Sequence, residues 1–256
     1  MEHSQRPLAI DLFTGLHGWS EGLVAEGWEV IGFDLEDMCK QFGQLRPQHV
    51  HLVIQDVLTL HGSQFKDAAL IVASPPCQEY SYMAMPWSLA KEKQAKILAS
   101  PSEQKRLTAL FDACFRIQRE ACEAAGKHIP LIVENVRGAQ KWVGRSHWNY
   151  GSFHLWGDVP ALMPITKGAA KAPGHSMNIG EPKWNMHHKE CVATVEGIKQ
   201  GGISGVRNNG KGDRWFQDGA ARSGSKSSAR KAASAEIAKI PMPLARYIAS
   251  VYRPID

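Results

Sequence analysis

No apolar run in this chain approaches the roughly 18 residues that a membrane-spanning helix needs, and the N-terminus carries no apolar leader core. Cysteine is sparse: Cys39, Cys77, Cys114, Cys122 and Cys191 are odd in number and form no Cys-x-x-Cys. That pattern argues against a disulfide framework and a zinc ribbon, and it fits a reducing cytoplasm. Internal repeats are absent, and so is the Gly-x-Gly-x-x-Gly spacing of a dinucleotide-binding turn. His187-His188-Lys189-Glu190-Cys191, with His175 upstream, matches no common zinc spacing, so no metal is expected. Acidic residues are scarce in one region: between Lys199 and Lys231, eight basic residues meet only Asp213 and Asp218 in Gly- and Ser-rich sequence. Positive charge on such a segment suits a phosphate-backbone partner. A solvated loop with no partner is the plainer reading of the same residues.

The composition is that of a globular protein: 256 residues, 43% apolar and 21% charged, enough for one large domain or a core domain with a smaller lobe. Short apolar runs predict strands at 8–13, 28–34, 50–56, 70–74 and 130–135, with a helix at 20–26. Ser100-Pro101-Ser102-Glu103 predicts a helix start, with Ser100 as N-cap, Pro101 in the first turn and Glu103 completing a capping box. Leu107, Leu110, Phe111, Cys114, Ile117 and Ala121 follow at helical spacing until Gly126, which makes Cys114 and Cys122 packing residues. Strands separated by helices imply an α/β fold with a mostly parallel sheet covered on both faces. Beyond about residue 160 the pattern dissolves, and an apolar stripe returns within 232–252.

Three short segments carry chemistry. Ala69-Leu70-Ile71-Val72-Ala73 runs into Ser74-Pro75-Pro76-Cys77-Gln78, so a buried strand ends at a stiff turn that presents a thiol at the sheet's carboxyl edge. Ligands bind at that edge in open α/β sheets; a buried structural cysteine is the other reading. Asp11-Leu12-Phe13-Thr14-Gly15-Leu16-His17-Gly18 joins the first strand to a helix, a place where glycines admit a ligand and a helix N-terminus favours an anionic group. Asp34 ends the second strand at the spacing of a ribose-hydroxyl partner, and Asp56 ends the third, where it could accept from an adenine amine. Glu134-Asn135-Val136 closes the fifth strand with an acid that is costly to bury without a task or a partner.

In order, Phe13-x-Gly15, Pro76-Cys77-Gln78 and Glu134-Asn135-Val136 resemble the DNA cytosine-5 methyltransferases over roughly residues 8–140. The stretch 134–164, with Trp142, Trp148 and Trp156, is similar to the compact phage and prophage branch of that family. The resemblance implies a Rossmann-like, S-adenosyl-L-methionine-dependent methyltransferase sheet with a small irregular target-recognition lobe. Its implied layout is a catalytic domain at 1–160, a DNA-binding lobe at 161–231 and a C-terminal helix within 232–256 packing back. The implied activity is methyl transfer to carbon 5 of a cytosine flipped out of double-stranded DNA, by a monomer in a bacterial or phage-infected cytoplasm. Cys77 would be the nucleophile and Glu134 would bind the cytosine ring, with Arg145 as a third catalytic residue. Asp11, Phe13, Gly15, Gly18, Asp34, Asp56 and Pro76 would hold the cofactor. Gln78, Ser81, Asn135, Lys199, Arg207, Lys211 and Arg214 would touch nucleic acid. The segment after Cys77 would close over DNA, with Tyr80, Tyr82, Met83, Met85 and Trp87 filling the vacated stack and Lys91, Lys93 and Lys96 on phosphates.

The chain departs from the family pattern at several points. His17 stands where the family has glycine, and Ala238-Lys239 where it has Gly-Asn near the final helix. The Gln-x-Arg-x-Arg signature is missing, and Arg145 is the nearest basic substitute. Rival readings are an RNA cytosine-5 methyltransferase of the same fold and a catalytically silent nucleic-acid binder on that scaffold. An amino methyltransferase is disfavoured, because Cys77 occupies the aromatic position of its Ser-Pro-Pro-aromatic motif.

Overall fold

Seven strands form one sheet in the order β3-β2-β1-β4-β5-β7-β6 in a computed structural model of the chain. The structure describes residues 6–77, 80, 87–163, 231, 235–236 and 238–254. Strands β1 (Leu8–Leu12), β2 (Glu29–Asp34), β3 (Val50–Ile54), β4 (Leu70–Ala73) and β5 (Leu131–Asn135) are mutually parallel. Each expected strand is present and one or two residues shorter than its apolar run. β1 ends before Phe13, for example, because that residue takes a left-handed φ of 64°.

The hairpin β6 (Trp148–Tyr150) and β7 (Phe153–Gly157) was not expected; it adds two antiparallel strands beyond β5. The two-residue link Gly151-Ser152 between aromatic-rich runs is its signal, and Gly151 takes the left-handed φ of 59° that such a turn requires. Asp158 fastens the hairpin's exit, accepting from Leu131 N and Gln118 Nε2, each at 2.8 Å.

The central strands are buried on both faces, as a parallel sheet covered by helices must be. Ile10, Leu12, Ile71, Ala73, Leu131 and Val133 face helix α4 (Pro101–Ala125) through Leu107, Phe111, Cys114 and Ile117. The alternate residues Ala9, Val30, Leu70, Val72 and Ile132 face α1 (Gly18–Ala25) and the final helix α6 (Met242–Tyr252). Gly22 allows α1 and α6 to approach closely: a Cβ there would sit 2.3 Å from the Cβ of Ala245. Trp28 Nε1 donates to the Ala249 carbonyl at 3.1 Å and locks the same contact.

Helix α4 begins at Ser100 and ends at a left-handed Gly126. Only half of the capping box forms. Ser100 Oγ accepts from Glu103 N at 3.4 Å, but Ser100 N donates to Ile97 O, and Glu103 pairs with Arg106 at 3.0 Å. Helices α2 (Met38–Phe42), α3 (Trp87–Leu98) and α5 (Gln140–Val143) and 3₁₀ turns at Val57–Thr59, Gly62–Phe65 and Arg137–Ala139 are also described. Among the described residues, no helix is long and apolar enough to cross a membrane.

Candidate active site

The strand order reverses direction at β1, whose neighbours are β2 on one side and β4 on the other. A crevice must open outside the carboxyl ends of strands at such a switch point. A cavity of about 720 Å³ lies there, lined by the turn after β1, the ends of β2 and β3, the Ser74–Cys77 turn, Glu134 and the segment leading into α6. That volume is within the usual range for a small-molecule site.

The turn after β1 is held under strain. Phe13, Gly15 and His17 alternate in the left-handed region, at φ of 64°, 52° and 59°, and only one of them is glycine. Such conformations persist where the surroundings over-determine them. Phe13 N and Thr14 N both donate to Phe33 O, and Gly15 N donates to Asp34 Oδ2 at 2.8 Å. Asp34 also accepts from Leu35 N at 2.7 Å. Burial pushes the Asp34 carboxyl up, and these backbone donors pull it down. Asp56 lines the cavity from the end of β3, and one of its oxygens accepts from Leu58 N at 2.9 Å. Gly18, the first residue of α1, also borders the cavity and lies under Ile240, whose nitrogen would sit 2.4 Å from a Cβ at that position.

Pro75, Pro76, Cys77 and Glu134 line the same cavity. Glu134 is buried and Cys77 half-buried. Side-chain hydrogen bonds from two other segments reach the turn that carries the thiol. Asn135 Nδ2 donates to the Pro75 carbonyl at 3.0 Å, and Trp19 Nε1 donates to Ser74 Oγ at 2.9 Å. The first ties the turn to β5 and the second ties it to the helix of the β1 turn. Trp19 and its bond to Ser74 escaped the sequence reading, as did α2, which contributes Met38, Gln41 and Phe42 to the cavity wall. The signal for α2 was present in Asp37, which caps its start through Lys40 N, and in the left-handed Gly43 at its end.

Four expected placements are corrected. Asp11 does not reach the cavity: it is fully buried behind the turn, where its Oδ2 accepts from Ser20 Oγ at 2.6 Å. Asn135 is buried and bonded to the Pro75 carbonyl, so it supports the Cys77 turn and is not positioned to touch nucleic acid. Arg145 is exposed between α5 and β6 and does not line the cavity. On the strand facing Glu134, the residue in register is the apolar Leu155. Tyr80 is buried in the α4-side core and donates its hydroxyl to Leu107 O at 2.8 Å, so it is no wedge for a base stack. Lys96 pairs with Glu92 at 2.7 Å. Gln78, Ser81, Lys199, Arg207, Lys211, Arg214 and the histidines around Cys191 lie outside the described residues. Among the described residues, no group of three or more His, Cys, Asp or Glu is arranged to hold a metal.

The cavity suits a nucleoside carrying a charged tail. The carboxylates of Asp34 and Asp56 stand at the ends of adjacent strands, and a helix N-terminus lies at the β1 turn. Thr14 Oγ1, on a residue of the cavity wall, is buried without a hydrogen-bond partner.

A mostly parallel sheet with its cleft at the switch point, an acid at the end of β2, a thiol after β4 and an acid near the end of β5 define the class of Rossmann-like α/β domains. Residues 8–141, just over half of the chain, match the C-5 cytosine-specific DNA methylases, and the chain belongs to that family. No curated relative matches it. Among solved structures it is similar to the Entamoeba histolytica methyltransferase EhMeth, at 16% identity and a TM-score of 0.34, over 55% of this chain and 41% of that one. It is similar to a candidate DNA modification methyltransferase encoded within an Escherichia coli prophage, at 20% identity and a TM-score of 0.33, over 52% of this chain and 33% of that one. A Spodoptera frugiperda DNMT2 mutant gives 16% identity and a TM-score of 0.32, over 53% and 37%. The chain thus spans about two fifths or less of the length of these structures.

Proposed function

We propose that the chain transfers a methyl group from S-adenosyl-L-methionine to carbon 5 of a cytosine flipped out of double-stranded DNA, acting as a monomer. The observation that carries this reading is the convergence of Cys77 and Glu134 on one cavity whose wall also includes Asp34, Asp56 and the β1 turn.

Cytosine carbon 5 is a poor nucleophile, so the ring must first be activated. The Cys77 thiolate adds to carbon 6, forming a carbon–sulfur bond and moving the ring's electron density towards carbon 5. The Glu134 carboxyl donates a proton to ring N3 while its other oxygen accepts from the exocyclic amine, which stabilises the negative charge that develops there. The bound cofactor supplies an electrophilic methyl group. A base then takes the carbon 5 proton, the carbon–sulfur bond breaks and Cys77 returns as the thiolate. Phe13, Gly15, Gly18 and Pro76 would line the cofactor, with Asp34 accepting from the ribose and Asp56 from the adenine amine. Since the reacting carbon is inside the duplex stack, the base must leave it before reaction. Gln78 and Ser81, next to Cys77, and Lys199, Arg207, Lys211 and Arg214 in the 161–231 lobe are assigned to the DNA.

The test uses methyl-labelled cofactor with genomic duplex DNA and, in parallel, structured RNA, followed by nucleoside analysis. The expected product is 5-methylcytosine in DNA, abolished in Cys77→Ala and reduced at least 100-fold in Glu134→Gln, the scale of a lost charge-stabilising contact. Label confined to RNA or to adenine overturns the proposal.

A further inference from the structure

We propose that the exposed cations Arg137, Lys141 and Arg145, just past Glu134-Asn135, form a docking strip for the phosphates of duplex DNA flanking the reacting base. This rests on the proposed function and adds a contact surface that the motifs do not name. The segment 137–147 contains three arginines or lysines and no acid. Arg137 opens a 3₁₀ turn (Arg137–Ala139) that runs directly into α5, so Arg137 and Lys141 lie four residues apart on helical backbone and on one side of it. All three are exposed.

Their surroundings set them apart from much of the basic surface. Arg46, Lys96, Arg106, Arg116, Lys239 and Arg246 each pair with a carboxylate at 3.0 Å or less. No acid among the described residues pairs with Arg137, Lys141 or Arg145. Lys141 Nζ lies over the Trp142 ring at 5.3 Å from its centroid, a contact that leaves its charge unneutralised. The strip also abuts the reacting segment: a Cβ on Gly138 would meet the Tyr80 carbonyl at 2.3 Å, and Tyr80 N donates to Cys77 O at 3.0 Å. Glycine at 138 therefore lets the strip's backbone press against the chain three residues past the nucleophile. Unpaired cations beside a site that must admit a polyanion fit the phosphate backbone by charge and by position.

The experiment measures binding of the full chain to duplex DNA, and in parallel to duplex RNA, as a function of salt. Each phosphate contact contributes about 0.9 to the slope of log affinity against log salt on B-DNA. Arg137→Gln, Lys141→Gln and Arg145→Gln combined should lower that slope by roughly 2 to 3, with cofactor binding measured by calorimetry unchanged. Lys66→Gln with Lys127→Gln, near the amino ends of β4 and β5, should leave the slope as it is. If the triple variant loses cofactor binding, the three single variants replace it, each expected to remove close to one contact, with Arg137→Lys retaining it. A slope reduced by less than one unit in a variant that still binds cofactor overturns the strip alone. A reduction seen only on RNA overturns duplex DNA as its partner. A parent chain that binds neither nucleic acid overturns both the strip and the function beneath it.

Discussion

Asp11 and His17 are buried around the same turn and titrate in opposite senses. Burial raises the Asp11 carboxyl to about 7, against the hydrogen bond from Ser20. Between about pH 4 and pH 7 the folded chain therefore holds a proton that the unfolded chain has released, and stability falls as pH rises through that window. Burial, reinforced by Arg46, lowers His17 to about 4. Between about pH 4 and pH 6.5 the unfolded chain holds the extra proton, so His17 makes stability rise with pH. The two effects offset each other in the parent. Asp11→Asn should leave the His17 effect exposed, giving urea stability that climbs with pH by up to about 1.4 kcal/mol per unit. His17→Asn, which tolerates the left-handed backbone, should reverse that slope. Identical profiles in both variants and the parent would contradict the assignment. Asn135 gives a second prediction at this scale. Asn135→Ala removes the donor to the Pro75 carbonyl and should cost about 1–3 kcal/mol of stability, as a lost buried hydrogen bond does. Thiol alkylation at Cys77 should also become faster than in the parent as the turn loosens.

At the scale of elements, the start of α4 separates two kinds of capping. Ser100→Ala should cost about 1 kcal/mol in denaturant unfolding, the usual value of a side-chain N-cap. Glu103→Ala should cost only a few tenths, because Glu103 reaches Arg106 instead of Ser100 N. Equal losses would mean that the full box forms. The α1–α6 crossing is a packing matter. Gly22→Ala places a methyl 2.3 Å from Ala245 Cβ and 2.7 Å from backbone atoms, so it should destabilise by about 1–3 kcal/mol or more and free the C-terminal helix to limited proteolysis. Much of this architecture could be read from the chain, because β1, β4 and β5 are near-continuous apolar runs and α4 has both caps and a clean apolar stripe. The β6–β7 hairpin was missed because its turn, Gly151-Ser152, went unread and β6 is only three residues long. Periodicity says little over so short a stretch.

Across the whole molecule, the cavity gathers residues from the β1 turn to Ile240, so most of its wall is a product of topology. The residues that end apolar strands, Asp34, Cys77 and Glu134, were legible because a strand's carboxyl end in a parallel sheet has one destination. Asp11 and Asn135 were misplaced because strand position does not say which way a side chain turns, and burial decided both. The Trp19–Ser74 bond joins segments far apart in sequence, which no local pattern encodes, whereas the α2 wall carried local caps in Asp37 and Gly43 that went unread. Lys239 and Ile240 join the cavity because α6 docks on α1, and the Lys239–Glu21 pair at 2.6 Å pins that segment beside the β1 turn. The central claim is that Cys77 bonds covalently to cytosine beside Glu134. Its most direct measurement incubates the chain and S-adenosyl-L-methionine with mixed-sequence duplex DNA containing 5-fluorocytosine, whose fluorine blocks the final proton removal. The account predicts a denaturation-resistant protein–DNA adduct that maps to Cys77, requires the cofactor and is absent in Cys77→Ser. An adduct that persists in Cys77→Ser, or methylation of ordinary DNA with no trapping on the fluorinated duplex, would contradict it.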